Sequence, residues 1–193
     1  MSSDNGRPRD TRIDSAVLDA AAELLLAVGY ADLTVAAIAE RANTSRPAVY
    51  RRWPSKAHLV HEAVFREADT SRVPVTGDLG RDLHSIVART AALLTSPLAR
   101  LAVPGLIGEA ASDPSLNQRV LDRFAGSGWS GLDAYLADAA ARGELRAGFD
   151  AAALLEVVIG SALAAVLVRG PDGLTDTWVS DTTAILLDGV RAR

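Results

Sequence analysis

The stretch LTVAAIAERANTSRPAVYRRWPSKAHLV, residues 33–60, decides how this chain folds. Thr34 can cap a short helix with Ile38, Ala39 and Ala42 as its buried face, because its hydroxyl can accept from a first-turn amide that has no intrahelical partner. Asn43 and Thr44 make a tight turn. Ser45 can cap a second short helix over about 46–52, with Pro47 tolerated in the first turn. Pro54 ends that helix, and Ser55 caps the next one, which turns Leu59, Ala63 and Val64 inward. Two short helices across a tight turn form a helix-turn-helix. In that motif the second helix enters the major groove with its N-terminal residues toward the base edges, while its flanks and neighbouring helix starts hold phosphates.

Charge supports the same reading. The chain carries a net charge of −4, which by itself argues against a nucleic-acid partner. The sum hides an asymmetry: residues 1–60 hold 8 basic and 7 acidic side chains, a balance of +1, and residues 61–193 hold 12 and 17, a balance of −5. Between Arg41 and Lys56 stand Arg41, Arg46, Arg51, Arg52 and Lys56 with no Asp or Glu. A basic run is usually a solvated helix face, so local structure has to separate that reading from a phosphate-binding surface. On the second helix of the motif, Arg46, Pro47 and Ala48 lie nearest the bases. Tyr50, one turn on, can donate its hydroxyl to a phosphate. Arg51 and Arg52 flank the helix on two sides, and Lys56 adds its charge to the positive end of the following helix. Thr34, Thr44 and Ser45, at the helix starts, complete the candidate DNA-binding set.

Outward from the motif, everything reads as helix. Of 193 residues 49% are hydrophobic, 36 are alanine and only 5% are aromatic, a composition that favours helices over strands. Thr11 and Asp14 suggest a capping pattern before a helix carrying Ile13, Val17, Ala21, Leu24 and Val28, which Gly29 stops. After a loop or linker over about 70–80, helices are expected at about 79–94 (Leu83, Ile86, Val87, Thr90 and Leu94 inward), 97–111 (broken or bent near Pro104 and Gly105), 114–141 (kinked at Gly126, Gly128 and Gly131), 150–168 and 175–190 (Trp178, Thr182, Ile185 and Leu186 on one side). The very apolar 151–168 is short for a bilayer span and is interrupted by Glu156 and Gly160. A buried helix accounts for it better. Its doublets Leu154/Leu155, Val158/Ile159, Ala162/Leu163 and Val166/Leu167 make a stripe too wide for one neighbour, and a second chain is an expected partner. The absence of cysteine excludes a disulfide scaffold and a thiolate metal site, and no signal-like run opens the chain, so a cytoplasmic location is expected.

The run 33–60 resembles the DNA-binding domain of the tetracycline-repressor (TetR) family of bacterial transcription regulators. Gly29, Thr34, Ile38, Ala39, Ala42, Tyr50, Trp53, Lys56 and Leu59 match the family pattern, and with the first helix the resemblance covers about 11–65. The family's usual turn glycine is Asn43 here, which also tolerates a left-handed conformation. The resemblance implies a two-fold dimer, a recognition helix over 45–52 and a C-terminal domain that binds an inducer. The expected fold is therefore all-α with about nine helices: a three-helix helix-turn-helix DNA-binding domain over 11–57, and a helical-bundle regulatory domain for ligand binding and dimerisation over 58–193.

The expected function is a transcriptional regulator, a repressor released from a palindromic double-stranded operator by an unidentified small-molecule effector. It is a homodimer, not an enzyme, with no cofactor, metal or membrane. The competing class is a helical-bundle enzyme or small-molecule binding protein in which the basic patch is incidental; it lacks paired carboxylates or a nucleophile–base set on a common face. His58, His61 and Glu62 have a spacing that could hold a metal, yet two imidazoles without a third firm ligand read as a polar face. Trp53 reads as core. His84 at a pocket rim, with Phe124, Trp129, Tyr135, Phe149 and Trp178 as the larger side chains, are the candidates for lining an effector cavity, although such aromatics are more often plain core.

Overall fold

Side-chain caps within three residues of each start fix where most of the helices begin. The computed structural model describes residues 11–66, 76–126, 132–145 and 150–190. Helix α1 (Thr11–Asp32) contains a non-helical residue, Gly29, at φ 75° and ψ 173°. Helices α2 (Val35–Arg41), α3 (Arg46–Tyr50) and α4 (Lys56–Phe65) follow, opened by Thr34, Ser45 and Ser55, whose hydroxyls accept from the amides of Ala37, Ala48 and His58. Asn43 takes the positive φ of 50° expected of the turn. Asp78 opens α5 (Leu79–Thr95), and Ser96 opens α6 (Pro97–Ala110). Asp113 opens α7 (Pro114–Gly126), its Oδ1 accepting from Ser115 N at 2.9 Å and Leu116 N at 3.2 Å. Helices α8 (Leu132–Ala141), α9 (Ala151–Arg169) and α10 (Asp176–Val190) complete the ten α-helices among the described residues.

Several sequence expectations are corrected here. The stretch expected as one long helix over 114–141 is described as α7 up to Gly126 and as α8 from Leu132, and the kink expected at Gly128 and Gly131 lies outside the described residues. α6 runs through Pro104 unbroken, buried along Ala99, Ala102, Val103 and Leu106, so packing outweighs the lost backbone hydrogen bond. In α1 the buried face is Val17, Leu18, Ala21 and Leu25, with Ile13 and Val28 exposed. Asp14 pairs with Arg52 of α3. In α10 the inward residues are Trp178, Val179, Thr183 and Leu186, while Ile185 is 72% exposed.

One continuous core joins the first four helices to the rest. Leu25 of α1, Ile38 of α2, Val49 of α3, and Leu59 and Val60 of α4 are buried, as are Leu83, Ile86, Val87 and Leu94 of α5. α6 packs on both α1 and α4, and α10 lies along α5. Only one stripe of α9 is covered, Leu154, Val158, Ala162 and Ala165; Val157, Leu167 and Val168 on its other side are open. Among the described residues nothing comes within 4 Å of where a side chain at Gly160 would sit. Among the described residues no single helix is long and apolar enough to cross a membrane.

His58 and His61 are buried and do not present a polar face. His61 tilts against the Phe65 ring at 5.1 Å. His58 sits at the joint of α4 and α7, with Nδ1 2.9 Å from Ser55 Oγ and Nε2 3.1 Å from Ser115 Oγ. Burial pushes its pKa below the ordinary 6.5; Asp113 opposes, Arg119 assists and Glu109 opposes. Folding thus favours the neutral ring, and that contribution is complete above the unfolded pKa and is lost as pH falls below 6.5. Thermal melts at about pH 7.5 and 5.5 should show lower stability at the acid end for the wild type and a smaller difference for His58→Gln. Equal differences for the two proteins would contradict this account of His58.

Candidate DNA-binding face

The helix-turn-helix exposes the start of α3. Ser45, Arg46 and Pro47 are exposed, Ala48 is half-buried, and Tyr50 and Arg51 are exposed again at the other end. Val49 points inward and anchors the helix. Thr34 is exposed at the start of α2, and Thr44 is half-buried, its amide donating to Ala39 O at 2.8 Å. The Thr34 and Ser45 oxygens accept from their own helices, leaving each hydroxyl hydrogen available to a phosphate oxygen.

The five cations of the basic run divide into distinct roles. Arg41 forms an ion pair with Glu23 at 2.6 Å on the surface. Arg52 is held against Asp14, and its Nη1 donates to Ala48 O at 3.3 Å, which ties α3 to α1. Lys56 donates to Tyr30 O at 2.8 Å and lies 4.3 Å from the centre of the Tyr30 ring. Arg46 and Arg51 form no ion pair with another described residue. The free positive charge is therefore concentrated on α3, at its first residue and one residue past its end. Trp53 is buried behind this face, its Nε1 donating to Glu62 Oε2 at 2.7 Å.

Sequence reasoning gave Asp14 only a place in a capping pattern and missed Glu23 and Tyr30. Each lies on α1, far from its partner along the chain, and no local pattern signals such a pairing. It also missed Asp82, buried at the start of α5. Burial works to raise the Asp82 pKa, but hydrogen bonds from the Thr76 hydroxyl at 2.7 Å and the Thr76 amide at 2.9 Å outweigh it and hold the carboxyl below its usual range. Asp82 lies beside the buried Tyr135 phenol, whose pKa is raised by that burial and by the carboxylate.

The candidates for an effector cavity do not converge on one described site. His84 is exposed on α5, whereas Tyr135 of α8 and Trp178 of α10 are buried. Phe124 is on α7, in a stretch of which only the backbone is described; Trp129 and Phe149 lie outside the described residues.

Comparison with known proteins decides the family. Residues 17–63 match the model for bacterial regulatory proteins of the tetR family, and residues 73–185 match the tetracyclin repressor-like C-terminal domain. The chain belongs to the tetR family. As a member of that family it is a helix-turn-helix transcriptional regulator that binds DNA. It is similar to the HTH-type transcriptional regulator YdeS of Bacillus subtilis, 32% identical over 100% of this chain and 96% of that one. The DNA-binding transcriptional repressor TetR of Mycobacteroides abscessus is 28% identical over 90% and 93% of the two chains. Among solved structures, NalD of Pseudomonas aeruginosa, the secondary repressor of the MexAB-OprM multidrug efflux pump, shares the fold with a TM-score of 0.58 at 21% identity, covering 94% of this chain and 98% of that one. In this tetR-family chain, α2, α3 and most of α4 fall within the matched N-terminal segment, and α5 to α9 within the matched C-terminal one.

Proposed function

We propose that the chain is a cytoplasmic, homodimeric repressor that catalyses no reaction, reads a palindromic operator through α3, and is released by a small-molecule effector held in the body after residue 57. The observation that carries the reading is the exposed, unpaired Arg46 at the start of α3. A guanidinium there is aimed where base edges lie, and it can bond a guanine through two parallel hydrogen bonds. Tyr50, Arg51, Thr34 and Ser45 offer donors to phosphates around it. Lys56 keeps two donor hydrogens beyond the one given to Tyr30, so it too can hold a phosphate. Arg52 is better read as a strut than as a contact, because Asp14 already compensates its charge.

Two copies fit the open face of α9. Val157, Gly160, Ala164 and Leu167 recur every three or four residues along one side of that helix, and all four are exposed. To read a palindrome, the two α3 helices of such a pair have to stand about 34 Å apart, one turn of duplex. An effector would act by binding better to a state whose head spacing misfits the operator. Tyr135, beside Asp82, and Trp178 are the buried side chains beside which an effector could be held, at separate places in the body, and exposed His84 of α5 joins neither.

The test is Arg46→Ala in a mobility-shift titration on the preferred operator and on single-base variants of it. Operator binding should weaken by about 1–3 kcal/mol, and discrimination at the base facing residue 46 should relax. Unchanged affinity and unchanged discrimination would remove α3 from the recognition role.

A further inference from the structure

Among the 20 basic residues of the chain, 19 are arginine, and the single lysine is Lys56. Its surroundings are built for a compact ammonium. Gly29, at φ 75°, takes the backbone out of helical geometry immediately before Tyr30. The Tyr30 carbonyl accepts from Lys56 Nζ at 2.8 Å while the Tyr30 ring lies beneath the same ammonium, its centre 4.3 Å away. The far end of Tyr30 belongs to α6. Its hydroxyl donates to Glu109 Oε1 at 2.6 Å, and burial together with that carboxylate raises the phenol's pKa, so the group stays a donor. The ring also rests on the α6 backbone, because a Cβ at Gly105 would fall 2.3 Å from Tyr30 Cδ1 and 2.4 Å from Cε1. One side chain thus bridges the first residue of α4 and the middle of α6.

We propose that Tyr30 is a positioning residue that seats Lys56 for its phosphate contact and makes that contact depend on where α6 lies. The inference rests on the reading of Lys56 as a phosphate-holding residue. A guanidinium would spread its charge over a plane, whereas the ammonium fits between carbonyl and ring and still directs two donors outward. If α6 shifts along Tyr30, the Glu109 bond and the ring contact at Gly105 cannot both be kept. Tyr30 then moves, and the support under Lys56 moves with it. Glycine at position 105 is therefore part of the regulatory linkage, since any larger residue holds the ring away in every state.

A single lysine gives a direct readout. In full-length protein made with 13C-lysine, one Cε–Hε signal is expected, displaced upfield by the Tyr30 ring. Operator affinity is measured in parallel for Lys56→Ala, Gly105→Ala, Tyr30→Leu and the double variant Lys56→Ala/Gly105→Ala. Gly105→Ala and Tyr30→Leu should return the lysine signal to the position of a free side chain and weaken operator binding roughly tenfold, as Lys56→Ala does. The double variant should be no weaker than Lys56→Ala alone. Tyr30→Leu only removes atoms, so it carries the test should Gly105→Ala not fold. A wild-type lysine signal at the free position, an unmoved signal in both Gly105→Ala and Tyr30→Leu, or additive losses in the double variant would overturn the role of Tyr30. Lys56→Ala binding as tightly as wild type would instead strike the reading of Lys56 itself, and the proposal with it.

Discussion

Leu167→Asp combined with Ile185→Asp is expected to turn the dimer into a monomer and to lower operator affinity by about 100- to 10,000-fold. Each head alone contacts one half-site, and joining two heads multiplies affinity by roughly that factor without any new contact. Leu167 is 67% exposed and Ile185 72% exposed in the single chain, so aspartate at either place costs little in the fold of one copy. Against a second copy the same carboxylates would be buried without partners, at several kcal/mol each. Light scattering reads the mass, a shift assay reads the affinity, and circular dichroism checks that helix content is retained. A variant that stays dimeric and binds the operator as the wild type does would show that α9 and α10 are not the joint between copies.

The second large effect is on stability. Trp53→Ala should destabilise the protein by about 3–5 kcal/mol, a large part of the roughly 5–15 kcal/mol that holds a domain folded. Trp53 is 3% exposed, lies three residues past the end of α3 and donates to Glu62 of α4 at 2.7 Å. Its removal leaves a cavity between α3 and α4 and leaves Glu62 without this partner. For a chain of this length the loss corresponds to a fall of about 6–20 °C in Tm. Trp53→Phe keeps most of the volume and gives up only the indole donor, so its cost should be distinctly smaller. Equal melting temperatures for Trp53→Ala and wild type would contradict the packing described.

Local chemistry was legible in the sequence. Thr34, Ser45 and Ser55 cap the helices expected of them, because a cap depends on atoms two or three residues away. The inward face of α5 was read correctly, since Leu83, Ile86, Val87, Thr90 and Leu94 keep helical spacing and all are buried. What failed depended on distant partners. The face that α1 buries is set by α4 and α6 packing on it, and periodicity in an alanine-rich helix leaves its rotation loosely specified. His58 looked polar because its residue type is; the Ser55 and Ser115 hydroxyls that let it be buried come from the cap before it and from another helix. The basic run of α2 to α4 read as one patch with Arg52 among its DNA contacts, and only the fold showed Arg41 and Arg52 paired with Glu23 and Asp14 of α1.

That neutralisation has a consequence for the conditions in the cell. With Arg41 and Arg52 engaged internally, each head of the proposed dimer is expected to bring Arg46, Arg51 and Lys56 to the duplex, and two heads to displace about six condensed counter-ions. The pair of copies also carries twice the net −4 of one chain, which the phosphate backbone repels. Operator affinity is then steeply tied to ionic strength: a fourfold rise in monovalent salt should loosen the complex by about a thousandfold. Releasing either arginine from α1 would add a phosphate contact and steepen that dependence, so the two ion pairs set how strongly salt loosens the complex.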